Sequence, residues 1–189
     1  MQQIELDEAS HTYTVSGRRV ISVSRILAEA GIVDRTFFTE KAAERGRIVH
    51  LLTETATPGN SFPPGTPPEL KGYLQAWRIF LEQTEFQAEE VEQRHYSAVF
   101  DFAGRPDRVG LLYHEKTILD LKTGQGSPQP WWALQLAGYS ILLGEKPRPR
   151  RASVLLRPDG TYRLNFYRNV RDEEVFLAAL AVAKWKTGL

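Results

Sequence analysis

The segment TILDLK, Thr117 to Lys122, places a carboxylate and an ammonium two residues apart in an aliphatic and β-branched run. As a strand it sends alternate side chains to opposite faces, so Ile118, Asp120 and Lys122 share one face and Leu119 and Leu121 the other. Two readings fit: an exposed ion pair on an edge strand, or a half-buried pair with a chemical task. In the preceding FAGRPDRVG, Asp107 falls in mid-strand, where Gly104 and Pro106 permit an irregular backbone. Meander pairing of the two strands brings Asp107 toward Asp120. Converging carboxylates repel and call for a cation. Arg105 and Arg108 supply one in a structural network. A divalent metal is the other source, since Mg²⁺ accepts carboxylate and carbonyl oxygens together with water.

Further groups surround this pair in the chain. Gln135 and Tyr139 are spaced i, i+4 and share one face of the helix PWWALQLAGYSILLG. Trp131 and Trp132 open that helix, one a candidate for stacking on an unpaired base and at least one a core residue. His50 lies on a helix after Arg45, Gly46 and Arg47. Trp77 and Trp185, on amphipathic helices, are expected in the core; His11, His95 and His114 have no partner motif. GQGSP after Lys122 does not satisfy G-x-G-x-x-G, and no P-loop, G-x-S-x-G or H-E-x-x-H occurs.

The ordered set His50, GRPD ending in Asp107, LDLK with Asp120 and Lys122, and QLAGY from Gln135 to Tyr139 resembles the RecB-like exonucleases of the PD-(D/E)XK nuclease superfamily. ASHTYTVSGRRVISVSRIL also resembles the opening of phage and prophage members, so the likeness runs from about residue 10 to 143. It implies a restriction-endonuclease-like α/β (α+β) core, a central mixed β-sheet flanked by helices, with an N-terminal hairpin and helical segment. It implies that His50, Asp107, Asp120 and the Leu121 carbonyl hold Mg²⁺ or Mn²⁺, one ion or two. By the same likeness Lys122 orients or activates the attacking water and stabilises phosphate charge, while Gln135 and Tyr139 brace the site and touch DNA. Glu92 stands where many members carry an acid, either supporting the site or simply solvated. The activity implied is a metal-dependent exonuclease on single-stranded or duplex DNA ends, in recombination, repair or phage DNA metabolism. An endonuclease of the same fold and a non-catalytic DNA-binding module are the alternatives. With no helicase segment, unwinding would fall to a helicase or recombination-protein partner.

The elements that must position these residues follow from punctuation and periodicity. HTYTVSGRRVISV (11–23) reads as a hairpin turning at Ser16-Gly17, and a short helix capped by Ser22 or Ser24 runs to Gly31. A helix over 39–56 with Thr39 as cap precedes a proline-rich loop at 58–68. A helix over 69–85 shows Tyr73, Trp77, Phe80 and Leu81 on one face. Strands are expected at 91–102, 104–113 and 117–123, a helix from Pro130 to Gly144, strands at 150–157 and 161–168, and a last helix over 171–186. The order is that of one mixed α/β or α+β domain over 1–189, with residues 1–90 carrying His50 and 91–189 forming the catalytic core.

The chain of 189 residues has a formal net charge of +1, an acidic first half offsetting a basic second half whose densest stretch is KPRPRR at 146–151. That stretch is either a phosphate-binding surface or a solvated loop. No apolar run approaches the roughly 18 residues of a membrane span, and MQQIELDEAS lacks the pattern of a signal peptide. No membrane role is expected, and the location expected is cytoplasmic. The chain has no cysteine, which excludes disulfides and the cysteine-held iron–sulfur cluster of some relatives.

Overall fold

The computed structural model describes residues 3–7, 12–33, 39–54 and 65–189. In chain order these form β1 (Ile4–Asp7), β2 (Thr12–Val15), β3 (Arg18–Ser22), α1 (Val23–Glu29), α2 (Glu40–Glu54), α3 (Pro68–Thr84), β4 (Gln87–Val91), β5 (His95–Ser97) and β6 (Phe102–Gly104). Then come β7 (Arg108–Leu112), β8 (Glu115–Thr123), α4 (Pro130–Leu143), β9 (Arg150–Leu156), β10 (Tyr162–Tyr167) and α5 (Arg171–Thr187). His11, the 55–56 end of the second expected helix and the proline-rich stretch through Pro64 lie outside the described residues.

Local chemistry sets most boundaries. Ser16 (φ 50°) and Gly17 (φ 80°) both adopt the left-handed conformation that a two-residue hairpin loop needs between β2 and β3. The Ser22 hydroxyl accepts the Arg25 N–H at 3.3 Å and Thr39 that of Ala42 at 3.2 Å, so both expected caps form. Pro130 occupies the first turn of α4, where its missing N–H costs nothing, and Gly144 closes the helix at φ 65°.

The central sheet has the order β10-β9-β8-β7-β4. β8 and β9 are parallel and joined through α4; the other pairs are antiparallel. β8 is thus an interior strand, which removes the edge-strand reading of Asp120 and Lys122. Its pleat divides two cores. Leu119 and Leu121 pack with Tyr73, Trp77 and Phe80 of α3. Ile118 packs on the other side with Leu136, Ala137 and Phe176 of α4 and α5. α4 is apolar nearly all round because it lies between this sheet and α1 and α5. A Cβ at Gly138 would come within 2.6 Å of the Phe176 ring, and one at Gly104 within 2.8 Å of Leu142, so both glycines allow α4 its close approach. With helices on both faces of a mixed sheet, this is the expected α+β restriction-endonuclease-like core.

The strand expectations need three corrections. The segment 91–102 is not one strand: β4 ends at Val91, and β5 and β6 follow as a separate antiparallel pair. The reversals occur at Glu92 (φ 50°) and Asp101 (φ 53°), left-handed positions without the glycine that would have announced them. The segment 104–113 divides between β6 and β7, and Asp107 stands just before β7 rather than in mid-strand. β6 joins a second sheet, β1-β2-β3-β6-β5, through parallel pairing with β3. Trp77 is buried as expected, but Trp185 is 83% exposed.

Candidate active site

The antiparallel register pairs Arg108 with Leu119, so continuing it by one residue sets Asp107 against Asp120. Asp107 is fixed there because its Oδ2 accepts the backbone N–H of Leu121 at 2.6 Å. The Leu121 carbonyl, on the other side of that residue, accepts His50 Nε2 from α2 at 3.0 Å. His50 Nδ1 lies 3.6 Å from Asp107 Oδ1 and 3.5 Å from Glu92 Oε1. The Leu121 carbonyl calls for a proton on Nε2, and the two carboxylates facing Nδ1 favour a second proton there. The electrostatics agree. Burial lowers the imidazole pKa, but Asp107 and the Glu92 hydrogen bond overcome it and raise the value to about 9.

Glu92 arrives by an unusual backbone. It holds φ 50° while its N–H donates to the Asp107 carbonyl at 3.1 Å, and so its carboxylate turns toward His50. Left-handed conformation at a non-glycine residue costs roughly 1–2 kcal/mol, and such strain collects at functional sites. Glu92 also meets Arg105 Nε at 2.9 Å and Arg108 Nη1 at 3.8 Å. Arg108 is almost wholly buried. It donates to the Asp107 carbonyl at 2.6 Å and to Thr53 Oγ1 at 3.2 Å, and it lies over Trp77. Both arginines are therefore neutralising cations.

The second half of the site hangs on Asp120, which is 1% exposed. Lys122 Nζ lies 2.6 Å from its Oδ2 and donates to Gln135 Oε1 at 2.9 Å, and Gln135 Nε2 donates to the Tyr139 hydroxyl at 3.2 Å. Four residues singled out in the sequence thus form one chain from β8 to α4. The same ammonium sits 5.4 Å from the Trp131 ring and 5.8 Å from the Trp132 ring. Trp132 is buried and Trp131 half-buried. Burial pushes the Asp120 carboxyl pKa up, against the pull of Lys122. Burial, with Asp107 and Asp120 beyond it, holds the Tyr139 hydroxyl well above its ordinary pKa and therefore neutral.

Asp120 also supplies the test of whether a metal fits. Among the described residues its Oδ1 is buried without a hydrogen-bond partner, and Oδ2 meets the Lys122 ammonium. Ligand atoms of His50, Glu92 and Asp107 all lie within 4.8 Å of one another. Carboxylate oxygens, a carbonyl and one imidazole are a donor set suited to Mg²⁺ or Mn²⁺. The residues fit a divalent cation.

His50, Asp107 and the Leu121 carbonyl therefore come together as expected, and Asp120 lies beside them with its charge turned to Lys122. Glu92 is not a solvated bystander; it is half-buried against His50. Thr53 and Ser153 belong to none of the sequence motifs. Thr53 sits three residues after His50 on α2, a spacing that could have flagged it. Ser153 reaches the site only through the parallel register that pairs it with Asp120, and it bonds the Tyr167 hydroxyl at 2.9 Å; no sequence signal crosses that connection.

Fold and site together describe a nuclease core with room for a divalent metal. A sequence profile of the PD-(D/E)XK nuclease superfamily matches residues 68–183, and the chain belongs to that superfamily. It is thus a hydrolase of the kind that acts on DNA with divalent metal. Among solved structures, a candidate exonuclease from Eubacterium rectale shares the fold at 10% identity and TM-score 0.50, over 89% of this chain and 82% of that one. LHK-Exo in complex with dAMP is similar at 17% identity and TM-score 0.48, covering 89% and 90%. The alkaline exonuclease LHK-Exo from Laribacter hongkongensis gives 16% identity and TM-score 0.44, covering 89% and 92%. A search of curated protein sequences finds no match. Among the described residues no helix is long and apolar enough to cross a membrane.

Proposed function

We propose that the protein is a Mg²⁺- or Mn²⁺-dependent DNA exonuclease that hydrolyses phosphodiester bonds at single-stranded or duplex DNA ends, in recombination, repair or phage DNA metabolism. The observation that carries this reading is the continuous constellation at one end of β7 and β8. Carboxylates and His50 converge there beside an orphaned Asp120 oxygen, and Lys122 is held against them by Gln135. His50, Asp107, Asp120 and the Leu121 carbonyl hold the metal, with Glu92 beside His50. When bound, the ion lowers the pKa of its water and neutralises charge on phosphate oxygens.

The chain's own residues do the rest. Lys122 presents an ammonium to the attacking water and to charge developing on the phosphate. Gln135 aims that ammonium, and Tyr139 aims Gln135. Trp131 offers a half-buried ring beside the same ammonium, on which a terminal base stacks. One domain over 1–189 carries the activity. In support, the second sheet combines β1–β3 from the first half with β5 and β6 from the second. A helicase or recombination protein would deliver the ends.

The test is incubation with end-labelled linear DNA and with covalently closed circular DNA, in Mg²⁺, Mn²⁺ or EDTA. The expected result is mononucleotide or short-oligonucleotide release from linear DNA alone, abolished by EDTA. Cleavage of closed circles would make it an endonuclease, and metal-dependent binding without cleavage a DNA-binding module.

A further inference from the structure

The final helix carries a second apolar face that the core does not use. α5 turns Phe176, Ala179, Leu180 and Ala183 inward against α1 and α4. On a separate face Val175, Ala178, Val182 and Trp185 recur at spacings of three, four and three, the a/d pattern of a coiled-coil seam. All four are exposed, Trp185 at 83%. No charged side chain interrupts the stripe; Glu174 and Lys186 bracket it. A tryptophan left in water at the end of such a seam gains by acquiring a partner.

The charges say which partner. In the first turn of α5, Asp172 and Glu173 are taken up within the chain by Arg151 and Arg148, which leaves Glu174 exposed beside the stripe; the last turn is basic, with Lys184 and Lys186. Lys184 stays by the helix through Asp101 at 3.5 Å, and Lys186 through the Glu29 carbonyl at 2.8 Å. A parallel pair of these helices would set acid on acid and base on base. An antiparallel pair lays each exposed Glu174 beside the partner's Lys186, in line with the opposed helix dipoles. The same arrangement solves the packing. With a two-fold axis level with Leu180, Val175 meets the partner's Trp185 and Ala178 meets the partner's Val182, each a pairing of unlike a and d positions. The small alanine lets the backbones approach at the centre, and each indole laps over a valine at the ends. An isologous contact of this kind needs one surface to be its own complement, and this one is.

We propose that α5 is a self-association helix and that two copies of the chain pair antiparallel through Val175, Ala178, Val182 and Trp185. The seam spans three helical turns, roughly 16 Å, so the pair is a reversible dimer set by concentration. Sedimentation velocity over a series from low micromolar to several hundred micromolar should show monomer passing to dimer. Trp185→Glu and Val182→Glu should each weaken the dimer at least about tenfold, with far-ultraviolet circular dichroism and thermal unfolding unchanged because both side chains are exposed. The chain has no cysteine, so a single engineered one reports geometry without background. Ala181→Cys, near the axis, should form a disulfide-linked dimer on oxidation. Glu174→Cys should not, because its two copies would lie roughly 18 Å apart along the antiparallel helices. A monomer throughout the series would overturn the proposal. So would a dimer that survives both glutamate variants, or cross-linking at Glu174→Cys as efficient as at Ala181→Cys.

Discussion

Two charge-rich regions of this molecule look alike in sequence and differ in structure. The stretch KPRPRR is the densest basic run in the chain, and the region around Asp107 and Asp120 mixes acids with Arg105, Arg108 and Lys122. In the folded protein the three arginines of the basic run are committed to structure. Arg148 donates to the Ser140 carbonyl at 3.0 Å and meets Glu173 at 3.4 Å; Arg150 meets Glu115 at 2.8 Å and covers the Phe166 ring. Arg151 is buried against Asp172 at 3.0 Å and the Asn169 carbonyl at 2.8 Å. Around Asp120 the opposite holds: among the described residues a buried carboxylate keeps one oxygen unpaired and turns the other to Lys122. The difference teaches that density of charge along the chain is a poor guide to a site. Buried charge that its surroundings leave incompletely matched is a better one.

The hardest way to break that comparison is to remove the mismatched charge. Asp120→Asn keeps the side-chain shape and should abolish cleavage, beyond the roughly 10²–10³ that follows loss of one transition-state donor. Yet it should raise the thermal midpoint of the metal-free protein, because a buried carboxylate with an orphaned oxygen is gone. Asp107→Asn should also abolish cleavage but lower the midpoint, since its carboxylate is held by the Leu121 N–H. Calorimetric Mn²⁺ titration beside melting curves checks both; unchanged metal binding in both variants would refute the ligand assignment.

Lys122→Ala should cost about 10²–10³ in single-turnover rate at saturating Mn²⁺ while metal binding survives. Lys122→Arg should not restore the rate fully, because a planar guanidinium places its donors differently from an ammonium. A near-native rate for Lys122→Ala would leave Lys122 only as the counter-ion of Asp120.

How much of this is readable from sequence depends on whether the signal is local. The face shared by Asp120 and Lys122, the i, i+4 pair Gln135 and Tyr139, and both helix caps are matters of spacing within one element, and they stand. What escapes is register and reversal. Glu92 and Asp101 turn the chain without glycine, so 91–102 reads as one strand. The same turn at Glu92 is what delivers its carboxylate to His50. Ser153 depends on pairing across the α4 connection. Trp185 misleads because periodicity marks an apolar face without saying what covers it.

The imidazole gives a pH signature. In the metal-free protein the His50 pKa of about 9 lies above its ordinary 6.5. Its contribution to stability is therefore full below pH about 6.5 and lost as pH rises through about 9. The metal needs the neutral ring, so binding should release a proton and apparent affinity should strengthen over the same window. His50→Gln should flatten both profiles. Proton release is measured by Mn²⁺ calorimetry in buffers of different ionisation enthalpy; no difference between buffers at neutral pH would show that His50 is not displaced from its protonated state.

The smallest effect is expected in the other region. Arg148→Ala and Arg150→Ala remove partly exposed ion pairs, and such pairs are worth about 0.2–1 kcal/mol, so unfolding should shift only slightly. If these arginines are spent on Glu173 and Glu115, they release no counter-ions from DNA. The slope of binding affinity against salt should then match that of the unmodified protein, whereas removing an arginine that neutralises a phosphate would reduce it by about 0.7–0.9. Binding is measured with Ca²⁺ or the Asp120→Asn background to prevent cleavage, across a salt series rather than at one ionic strength. A slope shallower by one phosphate in either variant would mean that the arginine leaves its carboxylate for the backbone when DNA arrives. The two charged regions would then work on the same ligand, one by chemistry and the other by grip.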